Sequence, residues 1–85
     1  MRLVVDISLY PLDQEYIPLI KDFIERLNGY SQLTTSTSAT STIVAGEMDE
    51  LMAILNSEMQ ITYDQVGQAV FVCKFLNGND MRDVH

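Results

Sequence analysis

The segment 69–76 constrains the fold most, because both of its sets of alternate side chains, which point to opposite faces of an extended chain, are apolar. One phase carries Phe71, Cys73 and Phe75, the other carries Val70, Val72 and Leu76, and Lys74 is the only interruption. Strand side chains alternate between the two faces of a sheet, so a strand of this composition needs cover on both faces. We expect the chain's own helices to cover one face and a second copy of the chain to cover the other.

Three other segments predict strands. Residues 3–10 alternate apolar side chains with mixed ones and end at Pro11, which cannot donate to a ladder. Between residues 31 and 42, nine of twelve positions are Ser or Thr, with no Gly or Pro. Thr favours extended backbone, whereas a flexible linker is expected to carry Gly or Pro. We therefore predict a hairpin of strands 32–37 and 40–45 with its turn near Ser38-Ala39.

The first helix is predicted between Tyr16 and the pair Asn28-Gly29, where apolar residues recur every three or four positions. Asp13 is expected to cap this helix. Pro18 lies in the opening turns, so the regular part is expected to begin near Ile17.

The second helix is predicted from the acidic residues Glu47, Asp49 and Glu50 to Gly67, because carboxylates suit the positive end of a helix dipole. These carboxylates are also oxygen ligands of the kind that Mg²⁺ or Ca²⁺ prefers, but their spacing matches no specific metal site. The expected core stripe of this helix comprises Met48, Leu51, Met52, Leu55, Met59 and Tyr63.

The order β-α-β-β-α-β with right-handed crossovers predicts an α+β ferredoxin-like sandwich, a four-stranded antiparallel sheet with two helices on one face. The open face would then show Val4, Asp6, Ser8 and Tyr10 beside the hydroxyls of the hairpin. We expect one domain over residues 1–79 and a loose tail over 80–85.

Charge and composition exclude several classes of protein. Five Lys and Arg against twelve Asp and Glu give a net charge of −7, which repels nucleic acids. No apolar run is long enough to span a membrane, and the N-terminus lacks a signal-peptide core, so a cytoplasmic location is expected. One cysteine, Cys73, and one histidine, His85, cannot form a disulfide or a zinc site, and no cofactor is indicated.

Polar residues of the open face are the candidates for ligand binding. Asp6, Ser8 and Tyr10 share one face of the first strand, and the hydroxyls of the hairpin lie beside them in the predicted sheet. A serine nucleophile would need an oriented base, and none is evident, so hydrolysis is disfavoured. The alternative is that these residues are an ordinary solvated strand surface, with Asp6 paired to Lys74. Cys73 is expected to be a buried, unreactive thiol.

Four separated blocks of this sequence resemble the thiamine-binding, YkoF-related family over about residues 3–79. The blocks are ISLYPL at 7–12, YIP at 16–18 with FIERLN at 23–28, ST at 41–42 followed by GE at 46–47, and AVFVCK at 69–74 with LNG at 76–78. The resemblance implies a ferredoxin-like fold, dimers or tetramers formed through the sheets, and binding of thiamine or its hydroxymethylpyrimidine half without chemical conversion.

In the site that we predict from this resemblance, Tyr10 supplies a flat wall and Asp6 accepts a hydrogen bond from the pyrimidine amino group. The polar edge is formed by Ser8, Ser38, Ser41 and Thr42. Lys74 on the same face opposes a thiazolium cation locally, although the net charge favours one. Two other functions stay open at this point, an enzyme of the dimeric α+β barrel type and a structural self-assembly module that binds no ligand.

Overall fold

The computed structural model describes residues 1–78, which form four strands and two helices in the predicted order. Their bounds are β1 Arg2–Pro11, α1 Tyr16–Asn28, β2 Thr34–Thr37, β3 Thr42–Glu47, α2 Met48–Val66 and β4 Ala69–Asn77. The predicted tail over 80–85 lies outside the described residues.

The strands form one antiparallel sheet in the order β2-β3-β1-β4, so β1 lies in the interior and β4 at an edge. The odd-numbered side chains of β1 enter one core with both helices, and the core is built from Leu3, Val5, Ile7, Leu9, Phe23, Leu27, Val44, Leu51, Ile54 and Leu55. Phe71 of β4 closes one end of this core, with its ring centroid 5.2 Å from that of Phe23. The protein therefore has the predicted ferredoxin-like fold, with two helices on one face of the sheet.

The hairpin strands differ from their predicted bounds. β2 begins at Thr34 rather than at residue 32, and β3 runs from Thr42 to Glu47 rather than over 40–45. The register explains the shift, since Gly46 pairs with Leu3 of β1 and pulls β3 two residues further along the chain. Long-range pairing with β1 thus overrides the local preference of the Ser and Thr residues.

The helix ends also differ in detail from the prediction. Asp13 does not cap α1, because its Oδ1 accepts from the N–H of Glu15 at 2.8 Å and closes a turn before the helix. Gly29 does occupy the C-terminal cap position, with φ −75. Glu47 caps α2 by accepting from the N–H of Asp49, with Oε2 at 2.9 Å, so its carboxylate is engaged at the helix start.

The prediction of which side chains of α2 face the core is partly wrong. Met48, Met52 and Tyr63 are about two-fifths exposed rather than buried. The buried side chains of this helix are Leu51, Ile54, Leu55, Glu58 and Thr62. The stripe is displaced because two polar residues of α2 turn inward to meet a partner on α1, as described below.

The open face of the sheet is partly exposed along β4, but Val4 of β1, which was predicted to lie exposed on this face, is only 4% exposed. Val70, Val72 and Leu76 are each nearly half exposed, and Tyr10 of β1 beside them is 56% exposed. Cys73 lies on the helix side and is partly buried, and burial together with the nearby Asp6 raises the pKa of its thiol. Within residues 1–78, neither helix has the length and apolar character that a bilayer crossing requires.

Candidate ligand-binding site beside the hairpin

The candidate site forms where β1 extends beyond β3. The last residue pair between the two strands is Ile7 with Thr42, yet β1 continues to Pro11 and pairs there with β4 alone. The end of β1 therefore faces the turn of the hairpin, residues 38–41, instead of a neighbouring strand. Two recesses lie on either side of this turn.

Ser38 holds the turn in place. Its N–H donates to the Ser41 carbonyl at 2.9 Å, and its hydroxyl donates to the same carbonyl at 3.2 Å. The Ser38 hydroxyl oxygen also accepts from the N–H groups of Thr40 and Ser41, each at 3.3 Å. A short polar side chain that satisfies neighbouring backbone groups in this way stabilises a loop and ends the ladder.

The first recess, which we call the helix-side cavity, has a volume of about 90 Å³ and lies between α1 and the hairpin. Its apolar wall comes from β1 and α1, and its polar wall from residues 37–42. The second recess, the open-face depression, has a volume of about 190 Å³. It is lined by Asp6, Ser8, Tyr10, Thr40, Ser41, Val72 and Lys74. Ser8, Thr40 and Ser41 contribute to both recesses and form the wall between them.

The six predicted site residues divide between these recesses. Asp6 and Tyr10 line the open-face depression, whereas Ser38 and Thr42 line the helix-side cavity. Ser8 and Ser41 line both. The structure thus brings all six to one end of the sheet but separates them across its plane, with Ser38 and Thr42 of the hairpin on the helix side and Asp6 and Tyr10 of β1 on the open face.

Hydrogen bonding within the chain distinguishes engaged groups from available ones. The Ser8 hydroxyl donates to the Thr40 carbonyl at 3.2 Å, and the hydroxyls of Thr42 and Thr37 lie 3.3 Å apart. Ser38 is engaged in the turn. Within residues 1–78, the side chains of the other three predicted residues make no hydrogen bond, and these are Asp6, Tyr10 and Ser41. All three line the open-face depression, whereas the helix-side cavity has Ser41 alone of these three, so the depression offers more available polar side chains.

The charges in the open-face depression are one carboxylate and one ammonium group. Asp6 and Lys74 face each other on adjacent strands. Both ion pairs found among residues 1–78 belong to Arg26, so Asp6 and Lys74 do not form one. Within the same residues, no three His, Cys, Asp or Glu side chains gather as metal ligands would. The depression therefore offers hydrogen-bonding and charged groups suited to an organic ligand.

Sequence reasoning missed a polar network that joins the two helices behind the helix-side cavity. The Arg26 guanidinium donates from Nε to Glu58 Oε1 at 2.5 Å and from Nη2 to Thr62 Oγ1 at 2.7 Å, and it also pairs with Asp22. The Tyr30 hydroxyl donates to Glu58 Oε2 at 2.6 Å. This hydrogen bond and burial raise the pKa of Tyr30.

The network fixes α1, which carries the wall of the helix-side cavity, against α2. Glu58 is only 5% exposed and Thr62 is fully buried, although neither was expected in the core. The available signal was their spacing of four on the inner side of α2, together with the arginine of the FIERLN block.

Comparison with known protein families identifies the family of this chain. The model of the YkoF-related family matches residues 3–77 of the chain. A search of curated proteins gives no significant match.

Several solved structures share the fold. Protein SP2199 from Streptococcus pneumoniae is 24% identical with a TM-score of 0.86, and the alignment covers 98% of this chain and 93% of that one. Protein TM0486 from Thermotoga maritima, provisionally assigned to thiamine biosynthesis or salvage, is 16% identical with a TM-score of 0.82, covering 91% and 84%. The hypothetical protein MJ1052 from Methanocaldococcus jannascii is 23% identical with a TM-score of 0.79, covering 93% and 82%. These likenesses show a common architecture, and the family match over residues 3–77 shows that the chain belongs to the YkoF-related family.

Proposed function

We propose that the chain is a non-enzymatic, cytoplasmic binding protein for thiamine or its hydroxymethylpyrimidine half, acting as a homo-oligomer. The observation that carries the proposal is the convergence of three available polar groups, from Asp6, Tyr10 and Ser41, on the open-face depression. Membership of the YkoF-related family supports this ligand class, as does the structural likeness to a protein provisionally assigned to thiamine biosynthesis or salvage.

The chemistry of the depression suits a flat, nitrogen-rich ring. Small-molecule sites combine apolar walls with a few fixed polar groups that orient the ligand. Tyr10 and Val72 supply the apolar wall, and the Ser41 hydroxyl supplies a donor or an acceptor. The Asp6 carboxylate suits either the amino group of the pyrimidine or the positive charge of a thiazolium ring. Lys74 weakens that second attraction because it lies opposite Asp6.

The size of the depression indicates that one copy supplies only part of the site. Its volume of about 190 Å³ is below the range of roughly 300–1,000 Å³ that is typical of small-molecule pockets. A second copy packed on the open face would deepen it and would also cover Val70, Val72 and Leu76. The four strands average about seven residues, so with strands about 4.8 Å apart and a rise of about 3.3 Å per residue the face measures about 450 Å² per copy. Two such faces bury about 900 Å² together, close to the roughly 1,000 Å² expected of a biological interface.

Thermal denaturation with hydroxymethylpyrimidine, with thiamine and with 3-hydroxymethylpyridine as a control tests the ligand. A ligand at about 100 times its Kd adds about 2.7 kcal/mol to the stability of the native state. For a domain of this size, that corresponds to a rise in Tm of about 10–20 °C. We expect this rise with the first two compounds and not with the pyridine. No rise with either at saturating concentration would contradict the proposal.

Matched serine variants test the location. Ser41→Ala removes an available hydroxyl from the depression and should weaken hydroxymethylpyrimidine binding about fivefold or more, from the loss of one hydrogen bond. Ser36→Ala removes an exposed hydroxyl from β2, which does not line the depression, and should leave affinity unchanged. Equal affinity of both variants and the wild type would place the site elsewhere.

Two further measurements separate the proposal from its alternatives. Ligand recovered unchanged after long incubation with the protein is expected of a binding protein, whereas conversion would indicate an enzyme. The mass from light scattering should be that of a dimer or tetramer. A monomer at all working concentrations would contradict the proposed cover of the open face.

A further inference from the structure

The backbone of β1 directs alternate residues toward its two neighbouring strands. At one end, Met48 N–H donates to the Met1 carbonyl at 2.9 Å, so the odd-numbered residue Met1 faces the β3 side. At the other end, Leu12 N–H donates to the Gln68 carbonyl at 3.2 Å, so the even-numbered residue faces the β4 side. Alternation along a strand then directs both the N–H and the carbonyl of Leu9 toward the β3 side.

The ladder on that side stops before it reaches Leu9. The last antiparallel pair is Ile7 with Thr42, and continued pairing would bring Thr40 opposite Leu9. Thr40 lies in the turn instead, outside β3. The expected partner of Leu9 is therefore present nearby but not in position to pair with it.

The backbone groups of Thr40 are engaged by two serine side chains. Its carbonyl accepts from the Ser8 hydroxyl at 3.2 Å, and its N–H donates to the Ser38 hydroxyl oxygen at 3.3 Å. Among residues 1–78, neither the N–H nor the carbonyl of Leu9 has a hydrogen-bond partner on the β3 side. Leu9 is 8% exposed as a whole residue and lines the helix-side cavity, so this donor and acceptor lie at a recess of the surface. Nearly all buried main-chain polar groups in native proteins have a hydrogen-bond partner.

One N–H and one carbonyl side by side on a strand edge complement a ring that carries an acceptor nitrogen next to an amino donor. Such a ring would lie near the plane of the sheet. One of its faces would contact the helix-side cavity, which Phe23 and Ile20 line, and the other would contact the open-face depression, which Tyr10 lines. Because Thr40 lies between the two recesses, the ring takes this position only when the turn at residues 38–41 moves away from the end of β1.

We infer that the main chain of Leu9 recognises the amino group and the adjoining ring nitrogen of the pyrimidine, the carbonyl accepting from the first and the N–H donating to the second. This inference rests on the proposed function and assigns the recognition of the ring to the backbone rather than to Asp6. The Asp6 carboxylate is then left for the positively charged second ring of thiamine.

Amide hydrogen exchange measured by NMR tests the role of the Leu9 N–H. In the free protein it should exchange faster than the N–H groups of Ser8 and Tyr10, which face β4 within its register. Saturating hydroxymethylpyrimidine should slow the Leu9 exchange at least tenfold more than that of these two neighbours, which report the general slowing that any ligand causes. A ligand that raises Tm but leaves the relative exchange of Leu9 unchanged would overturn the inference while the proposed function stands. No binding at all would overturn both.

Two comparisons of affinity test the assignment of the ring edge. Hydroxymethylpyrimidine without its amino group should bind about tenfold more weakly or worse, because the Leu9 carbonyl is left unpaired. Asp6→Asn should weaken thiamine binding about threefold or more and leave hydroxymethylpyrimidine binding within about twofold, since a partly exposed charge contributes modestly. If Asp6→Asn weakens both ligands equally, Asp6 and not Leu9 takes the amino group, and the inference is wrong.

Discussion

Glu58→Gln should destabilise the domain by about 1.5–3 kcal/mol, because it removes a buried negative charge that holds two donors. The carboxylate accepts from Arg26 Nε at 2.5 Å and from the Tyr30 hydroxyl at 2.6 Å, and the residue is 5% exposed. Glutamine keeps one acceptor oxygen of the same size, so about one charge-assisted hydrogen bond is lost. Glu58→Leu removes both acceptors and should cost about 3–5 kcal/mol. We expect a loss near the lower end of this range for Glu58→Leu, because Asp22 still pairs with the charge of the Arg26 guanidinium.

Urea unfolding at one fixed protein concentration measures this loss, since self-association makes apparent stability depend on concentration. In a thermal melt, each kcal/mol corresponds to about 4–8 °C in Tm for a domain of this size. Glu25→Gln is the matched control, because it makes the same chemical change at an exposed position on α1. If Glu58→Gln is no more destabilising than Glu25→Gln, the network does not hold the helices together and the reasoning fails.

Three other predictions concern pH, packing and assembly. The hydrogen bond to Glu58 and burial raise the pKa of Tyr30, so the tyrosine ionises first in the unfolded chain, and the stability of the wild type should fall as pH rises above about 10. In Tyr30→Phe the urea midpoint should fall less over the same pH range. Equal falls of the midpoint in the two proteins would contradict this. Gly46→Ala would place a Cβ 2.8 Å from Leu33 Cδ2, and because the end of the Leu33 side chain can move aside, thermal melts should show a loss of only about 1 kcal/mol; unchanged stability would refute the clash. Val72→Lys puts a charge on the uncovered face and should shift the mass from light scattering toward the monomer, whereas an unchanged mass would contradict the proposed interface.

The order of helices and strands was predictable because the side-chain periodicities of this chain are clear. Alternation over residues 3–10 and the double-phase segment 69–76 fix two strands, and the three-and-four spacing after Tyr16 fixes a helix. The core face of β1 was also correct, since its odd residues are buried, but Val4, predicted on the open face, is only 4% exposed. In each case the decisive information is local.

The hairpin bounds and the face of α2 depend on contacts that are distant in sequence. β3 is displaced by two residues because its register is set by pairing with β1 and because Ser38 forms the turn. Glu58 enters the core because Arg26 lies 32 residues earlier on the other helix. The spacing of apolar residues along the sequence predicts neither the register of β3 nor the burial of Glu58.

The candidate site was predicted as a set of side chains, and its division into two recesses was not. Asp6, Tyr10 and Ser41 offer unpaired groups, whereas Ser38 serves the turn. The main-chain pair at Leu9 could not be found from residue types, because every residue but proline carries the same backbone groups. Only the register of the sheet shows where β1 lacks a partner.

A crystal structure of the protein with hydroxymethylpyrimidine is the most direct test of the account. We predict that the ring lies beside Leu9 at the hairpin turn, with its amino group and adjoining nitrogen on the main chain and one face toward Tyr10. A ring bound away from residues 8–10 and 38–41, or crystals that stay empty at saturating ligand, would contradict it.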